Sequence, residues 1–249
     1  MRKLIKIIIR LVLAIFVVAL IYVLGILLIN TVYDYQPEGG NYEVGAFQKF
    51  PGLEAGRAYS VISWNIGYGG LGKEADFFYD GGRMSRPGKK AFDQYCKGID
   101  MRLISFDTVD VFLLQEVDLS SKRSYNVDQQ KIVRMLLRSH ESLFAINYNV
   151  QFVPTPIFDP MGSVVSGLQL LGKNRMVSAS WRPFDRDRSW PLSLFKPDRC
   201  YQLAEFDVDN LRRLYIINTH NSAFDDGTQR DAQIKMLYAE MQRAYNLGH

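Results

Sequence analysis

No charged residue interrupts the chain between Leu11 and Ile29, and almost every position in that 19-residue run is Leu, Ile, Val, Ala or Phe. A helix needs roughly 20 apolar residues to cross the hydrocarbon core of a bilayer, whereas the apolar part of a cleavable signal spans only about 7–15. The exit from the run, Leu27-Leu28-Ile29-Asn30, is bulky where a cleavage site would be small, so the reading favours an uncleaved anchor over a cleaved signal. A buried core helix would have to explain hydrophobicity all round, with Arg2, Lys3, Lys6 and Arg10 gathered at one end. Those four residues precede the run, and Asp34 and Glu38 follow it. The positive-inside tendency therefore keeps the N-terminus in the cytoplasm and sends the rest to the extracytoplasmic side of the cell membrane. The chain divides into a basic tail (1–10), a transmembrane anchor (11–30), a linker (31–57) and one domain (58–249).

The distribution of charge narrows the partners. The formal net charge of +4 sits entirely in the tail; without those four residues, 26 basic residues face 26 acidic ones. A protein that grips duplex phosphates usually presents a basic face, so this balance weighs against that class while leaving room for a local patch. Cys96 and Cys200 are too few for a disulfide framework and match no zinc spacing. They can form at most one bridge, and only in an oxidising compartment.

Residues 35–57 hold five Gly and two Pro without periodicity and read as an irregular linker. Tyr59 to Trp64 reads as a buried strand, and residues 89–106 as a helix on which Cys96, Ile99 and Leu103 recur at helical steps. Val109 to Leu114 reads as a strand buried on both faces, and 129–138 as a short helix. Between 147 and 180 the pattern gives two strands joined by the Pro-rich stretch 154–160, followed by a surface loop at 181–197. Cys200 to Val208 and Leu211 to Asn218 read as an antiparallel pair turning at Asp209-Asn210. Thr228 and Asp231 resemble a capping box opening a last helix with Ile234, Leu237 and Met241 on one face. The glycines at 67, 69, 70 and 72 do not give G-x-G-x-x-G leading straight into a helix, which rules out a dinucleotide fingerprint. Phe77, Phe78 and Tyr79, in the stretch 72–86, suit either a substrate-recognition loop or, more simply, a packed surface loop.

Three apolar strands each finish in polar groups: Trp64-Asn65, Gln115-Glu116 and Thr219-His220. In layered α/β folds the strand ends and the loops after them line the binding crevice. Taken singly, Asn65 suits a turn, Glu116 a structural ion pair, and His220 a hydrogen-bonded core position. Together, an amide, a carboxylate and an imidazole can hold a metal and a phosphate.

The strings Val61-Ile62-Ser63-Trp64-Asn65-Ile66, Asp110-Val111-Phe112-Leu113-Leu114-Gln115-Glu116-Val117-Asp118 and Ile217-Asn218-Thr219-His220 resemble, in order, the first three landmark motifs of the endonuclease/exonuclease/phosphatase superfamily. That superfamily includes DNase I-like nucleases and bacterial sphingomyelinases, and the chain resembles a membrane-anchored bacterial member. The resemblance implies an α+β fold, a four-layer α/β/β/α sandwich of two mixed sheets, here partial. It implies that Glu116, with Asn65 beside it, binds Mg²⁺ or Mn²⁺ and that His220 contacts the scissile phosphate. A hard cation that keeps several waters suits one carboxylate with one amide.

The family continues into a Gly-Asp-x-Asn strand and a later Asp-His pair that supplies the general base, and neither occurs before His249. The expectation is therefore a C-terminally incomplete domain, a fragment or a degenerate member, with little or no activity as it stands. The leading function is a metal-dependent phosphodiesterase or phosphatase acting on nucleic acid, a phospholipid headgroup or a small phosphoester. The alternative is a catalytically inactive, membrane-tethered binding module. Oligomeric state is not legible.

Overall fold

The computed structural model describes residues 2–45, 50–186, 189–208, 212–223 and 227–249. Helix α1 (Arg2–Val32) joins the basic tail and the apolar run in one element, long and apolar enough to cross a membrane. Its side chains are exposed as far as Leu24; Gly25, Ile26 and Leu27 are half-buried and Asn30 is buried, so only its last turns meet the domain. The Asn30 amide pairs with the backbone of Phe152, donating from Nδ2 to the carbonyl (3.0 Å) and accepting from the N–H at Oδ1 (3.2 Å).

The domain is built on two four-stranded sheets. One has the order β2 (Val61–Asn65), β3 (Val111–Asp118), β5 (Gly162–Gly172), β4 (Glu141–Val153) and is mixed, with β2 parallel to β3 and the other pairs antiparallel. The other has the order β1 (Gly40–Asn41), β6 (Met176–Pro183), β7 (Cys200–Val208), β8 (Arg212–Thr219). Its pairs are all antiparallel, so of the two sheets expected to be mixed one is, and the second has only a parallel bridge from Leu53 to Val208 at its margin.

Alternation along the strands sorts the core into layers. Val111 and Leu113 of β3 point between the sheets and pack with Leu143, Leu170, Met176, Ala204 and Phe206. Phe112 and Leu114 point the other way, against Leu103 of α2 (Lys89–Ser105) and Val133 of α3 (Gln129–Leu136). On the outside of the second sheet, Tyr201, Leu203, Tyr215 and Ile217 meet Met236 and Leu237 of α4 (Thr228–Asn246). Helices, sheet, sheet, helix make the four-layer α/β/β/α sandwich. Burial on both faces explains why β3 reads as an unbroken apolar run.

Several expectations need correction. The strand at 59–64 is not buried: β2 has one neighbour, lies at the sheet edge and leaves Val61 half-exposed. The linker is partly sheet, because Gly40 and Asn41 pair with Trp181 and Ser180, and Leu53 enters the core. Residues 147–180 contribute to three strands rather than two, and β6 runs to Pro183 into the stretch read as a loop. That stretch also holds a 3-10 turn, Leu192–Phe195, with Ser193 and Leu194 buried. The turn at Asp209-Asn210 lies outside the described residues. Helix α4 starts without a capping box: its N-cap is Gly227, at φ +96° with no side-chain cap, because Thr228 already lies inside the first turn. Ile234 and Met241 face outward, and the buried side is carried by Gln233, Met236, Leu237 and Ala244. Cys96 and Cys200 are both free.

Candidate functional site

Asn65 is the last residue of β2, and the chain then folds tightly through Gly67, Tyr68 and Gly69, all at positive φ (54°, 43° and 67°). Gly69 cannot carry a side chain there, since a Cβ would lie 2.7 Å from Cys96 Sγ. This turn lets Asn65 Oδ1 accept the Gly67 N–H (2.9 Å) while Asn65 Nδ2 donates to Glu116 Oε1 (3.0 Å).

Glu116 does not end its strand. The register of β3 against β5 shifts between Leu114 and Val117, and Glu116 sits in that bulge at φ +54°. A left-handed non-glycine residue inside a strand costs on the order of 1–3 kcal/mol and is held only by its surroundings. The bulge re-aims the carboxylate out of the core. His220 follows β8 directly, and its Nε2 lies 3.7 Å from Glu116 Oε1. The three residues singled out in the sequence therefore meet in one place. Glu116 makes no ion pair with Lys or Arg among the described residues.

The sheets are tied together just behind this site, one residue before Glu116 and two before His220. Gln115 Nε2 donates to Asn218 Oδ1 (2.8 Å), and Asn218 Nδ2 donates to Leu114 O (3.1 Å), Gln169 O (3.3 Å) and Gln202 Oε1 (3.1 Å). Gln115 and Asn218 are both buried and precede Glu116 and His220 on their own strands, so the link sets the spacing of the two functional groups.

Two arginines that the sequence reading passed over complete the surroundings. Buried Arg123 is held by Asp118 through Nε (3.1 Å) and Nη2 (2.8 Å) and lies over the Tyr68 ring, 3.9 Å from its centroid. The buried Tyr68 hydroxyl has no hydrogen-bond partner among the described residues. Arg199, half-buried just before β7, has a guanidinium whose charge acts on both Glu116 and His220, and among the described residues its side chain makes no ion pair. Burial, then the charges of Arg199 and Arg123, push the His220 imidazole down to about 3, so it is neutral at ordinary pH, and its buried Nδ1 has no partner among the described residues. The only advance signal for Arg199 was an arginine abutting an apolar strand.

The aromatic stretch is a packed loop. Phe77, Phe78 and Tyr79 pack against one another edge-on and tilted, Phe77 leans on Tyr68 at 6.2 Å, and the Phe78 N–H donates to Met84 O. A cavity of about 580 Å³ reaches Asn65 from the side of α2, lined by Trp64, Leu71, Tyr95, Ile99 and Arg102, but it includes neither Glu116 nor His220.

No protein-family model matches the chain, and no curated protein does. Solved structures do match. ANGEL2, a 2',3'-cyclic phosphatase in complex with adenosine-2',3'-vanadate, matches with TM-score 0.50 and 17% identity over 74% of this chain and 48% of its own. An endonuclease/exonuclease/phosphatase from Beutenbergia cavernae gives TM-score 0.49 and 19% identity over 72% and 42%. A family protein from Leptotrichia buccalis gives 0.48 and 10% over 74% and 63%. The chain thus has the fold of endonuclease/exonuclease/phosphatase proteins. It spans about half the length of the first structures it matches, and at these identities the likeness speaks for the fold alone.

Proposed function

We propose that the chain belongs to a membrane-anchored, metal-dependent phosphoester hydrolase, with Glu116 the carboxylate that holds Mg²⁺ or Mn²⁺ and His220 the group that contacts the phosphate. The observation that carries this reading is Glu116 itself, a carboxylate held in a costly left-handed conformation and turned toward an amide and an imidazole. Fit to a cation is mixed. One carboxylate suits a hard ion that keeps its waters. Asn65, however, spends its oxygen on the Gly67 N–H and its NH₂ on Glu116, so in this arrangement it orients the carboxylate, and joining the cation requires its amide to turn. When bound, the ion supplies polarisation of a phosphoryl oxygen. The neutral His220 offers an N–H to that oxygen without adding charge, and Arg199 supplies a cation that makes no ion pair among the described residues. By the tail's charge the site faces the extracytoplasmic side of a membrane crossed by α1. Nucleic acid, phospholipid headgroup and small phosphoester all carry the required anion.

A second reading has one observation in its favour: among the described residues no group of three or more His, Cys, Asp and Glu could hold a metal ion. On that reading the same fold is a membrane-tethered module that binds the phosphoester without cleaving it. The full-length protein, assayed with a generic aryl phosphodiester and Mg²⁺, separates the two. Hydrolysis predicts that Glu116→Gln lowers Mg²⁺-dependent turnover at least 100-fold while phosphodiester binding changes little. A charge-assisted hydrogen bond contributes about 1.5–3 kcal/mol, so Arg199→Met should weaken binding roughly 10- to 100-fold. Unchanged turnover in Glu116→Gln refutes the metal assignment. Arg199-dependent binding with no turnover in the unmodified protein establishes the binding module.

A further inference from the structure

The two most exposed large apolar side chains of the described residues lie on one loop: Phe158 at 101% and Ile157 at 82%. The flanks of that loop are pinned to the domain. The Asp159 N–H donates to Pro156 O, the Ser85 hydroxyl donates to Asp159 Oδ2 (2.8 Å), and Lys122 donates to Pro160 O (2.6 Å) with its ammonium 3.9 Å from Asp159. The loop's one charge is drawn back toward the domain, and the tip left to solvent is wholly apolar. A second pair, Trp190 and Leu192, is exposed at 63% each.

Both loops border the end of α1. Asn30 is bonded to Phe152, and the chain runs from there directly into residues 154–160. Trp190 Nε1 donates to Thr31 Oγ1 (3.5 Å), and Arg186, in the same stretch, holds Asp34 through two bonds of 2.8 and 2.5 Å. The helix is thereby tied to the domain at Asn30 and Thr31, and the chain just past its end is tied again at Asp34.

Length then sets depth. The charge-free run from Leu11 to Ile29 covers about 28 Å at 1.5 Å per residue, close to the thickness of the hydrocarbon core. One face of its final stretch, Gly25 to Leu27 and then Asn30, is already packed against the domain, while Leu28 and Ile29 stay exposed. The domain surface around that stretch therefore overlaps the apolar run by about 6 Å, the depth of the headgroup and acyl boundary. Polar groups there would be costly, whereas apolar tips and an indole are what that zone selects.

We infer that the Ile157–Phe158 tip and the Trp190–Leu192 pair are seated in the lipid interface around α1, so that the domain rests on the bilayer in a set orientation instead of hanging from a tether. The occupant is the lipid surface itself, and the inference depends on the proposal that α1 spans the membrane. The test uses the whole chain in lipid bilayers with and without acyl chains brominated near the headgroup, reading tryptophan emission. Expected are quenching by more than half of the Trp190 component and its loss in Trp190→Phe, with Trp64 and Trp181 little affected. Phe158→Trp in that Trp190→Phe background should restore a quenched, blue-shifted component, and both sites are exposed enough for folding to be indifferent. If the protein resists alkaline carbonate extraction but neither reporter is quenched, the spanning helix stands and the seated domain is refuted. If carbonate extracts the protein, both readings fail.

Discussion

Asn218→Leu should cost the domain about 3 kcal/mol and disarm the site without touching it. Asn218 is 1% exposed; its Oδ1 accepts from Gln115, and its two amide hydrogens are shared among Leu114 O, Gln169 O and Gln202 Oε1. At a net worth of about 1 kcal/mol each, losing the one accepted and two donated bonds removes about 3 kcal/mol, the stranded Gln202 acceptor costs about 1 more, and the added apolar burial returns about 1. Gln115 Nε2 keeps the Leu113 carbonyl (2.9 Å), whereas Gln202 Oε1 is left without its donor. Urea unfolding of the detergent-solubilised chain, followed by tryptophan emission, should show a lower midpoint at unchanged slope. Because the link spaces Glu116 from His220, turnover of the full-length protein should fall at least tenfold more than KM rises, and the double variant Gln115→Met/Asn218→Leu should be non-additive by 1 kcal/mol or more. A loss below 1 kcal/mol with additive effects would show that apolar packing alone aligns the sheets.

Two further outcomes follow from the site. Glu116→Gly should be at least as stable as Glu116→Gln, opposite to the usual penalty of about 0.5–1 kcal/mol for glycine within a strand, because φ +54° strains every other residue; a less stable glycine variant in urea unfolding contradicts the bulge. His220, held neutral down to about 3 by burial and then by Arg199 and Arg123, should make the fold acid-sensitive. The unfolded chain takes up a proton near pH 6.5 that the folded chain refuses, so this contribution is complete above about 6.5 and is lost as pH falls from there toward 3. His140, lowered by burial, adds in the same direction. Melting temperatures from pH 7 to 4 should therefore decline less steeply in His220→Gln, and an identical decline in that variant would count against a neutral buried imidazole.

How much of this could be read from the sequence depends on the range of the interaction that decides it. The helices at 89–105 and 129–136 follow from local periodicity, which is why they were legible, whereas the layered sandwich was implied only by the resemblance of the three motifs. The convergence of Asn65, Glu116 and His220 was legible too, although the strand-end reasoning holds for Asn65 and His220 only, since Glu116 reaches the rim through a bulge inside β3. The bulge was not, because Gln115-Glu116-Val117 carries no glycine to announce a left-handed residue; only the pairing with β5 reveals it. Gly40 and Asn41 look like linker until β6 is placed beside them, and an edge position for β2 is a property of the sheet rather than of Val61-Ile62-Ser63. Asp118 and Arg123 are five residues apart and could have been paired in advance, but Arg199 gains its meaning only from a site assembled by strands far from it.

The charges gathered at the site bear on why a cation belongs in the proposal. Formally, Asp118 cancels Arg123, Glu116 cancels Arg199, and the imidazole stays neutral, so the half-buried surroundings carry no net charge. A phosphodiester entering would bring one negative charge into a region of lowered dielectric, where an uncompensated ion is costly. A divalent cation held by Glu116 changes the sign of that balance and leaves the complex with one positive charge in place of one negative. Phosphodiester binding should therefore depend on the metal as strongly as cleavage does. Metal-independent binding at undiminished affinity would mean that Arg199 alone neutralises the anion, and the tethered binding module would then be the better account.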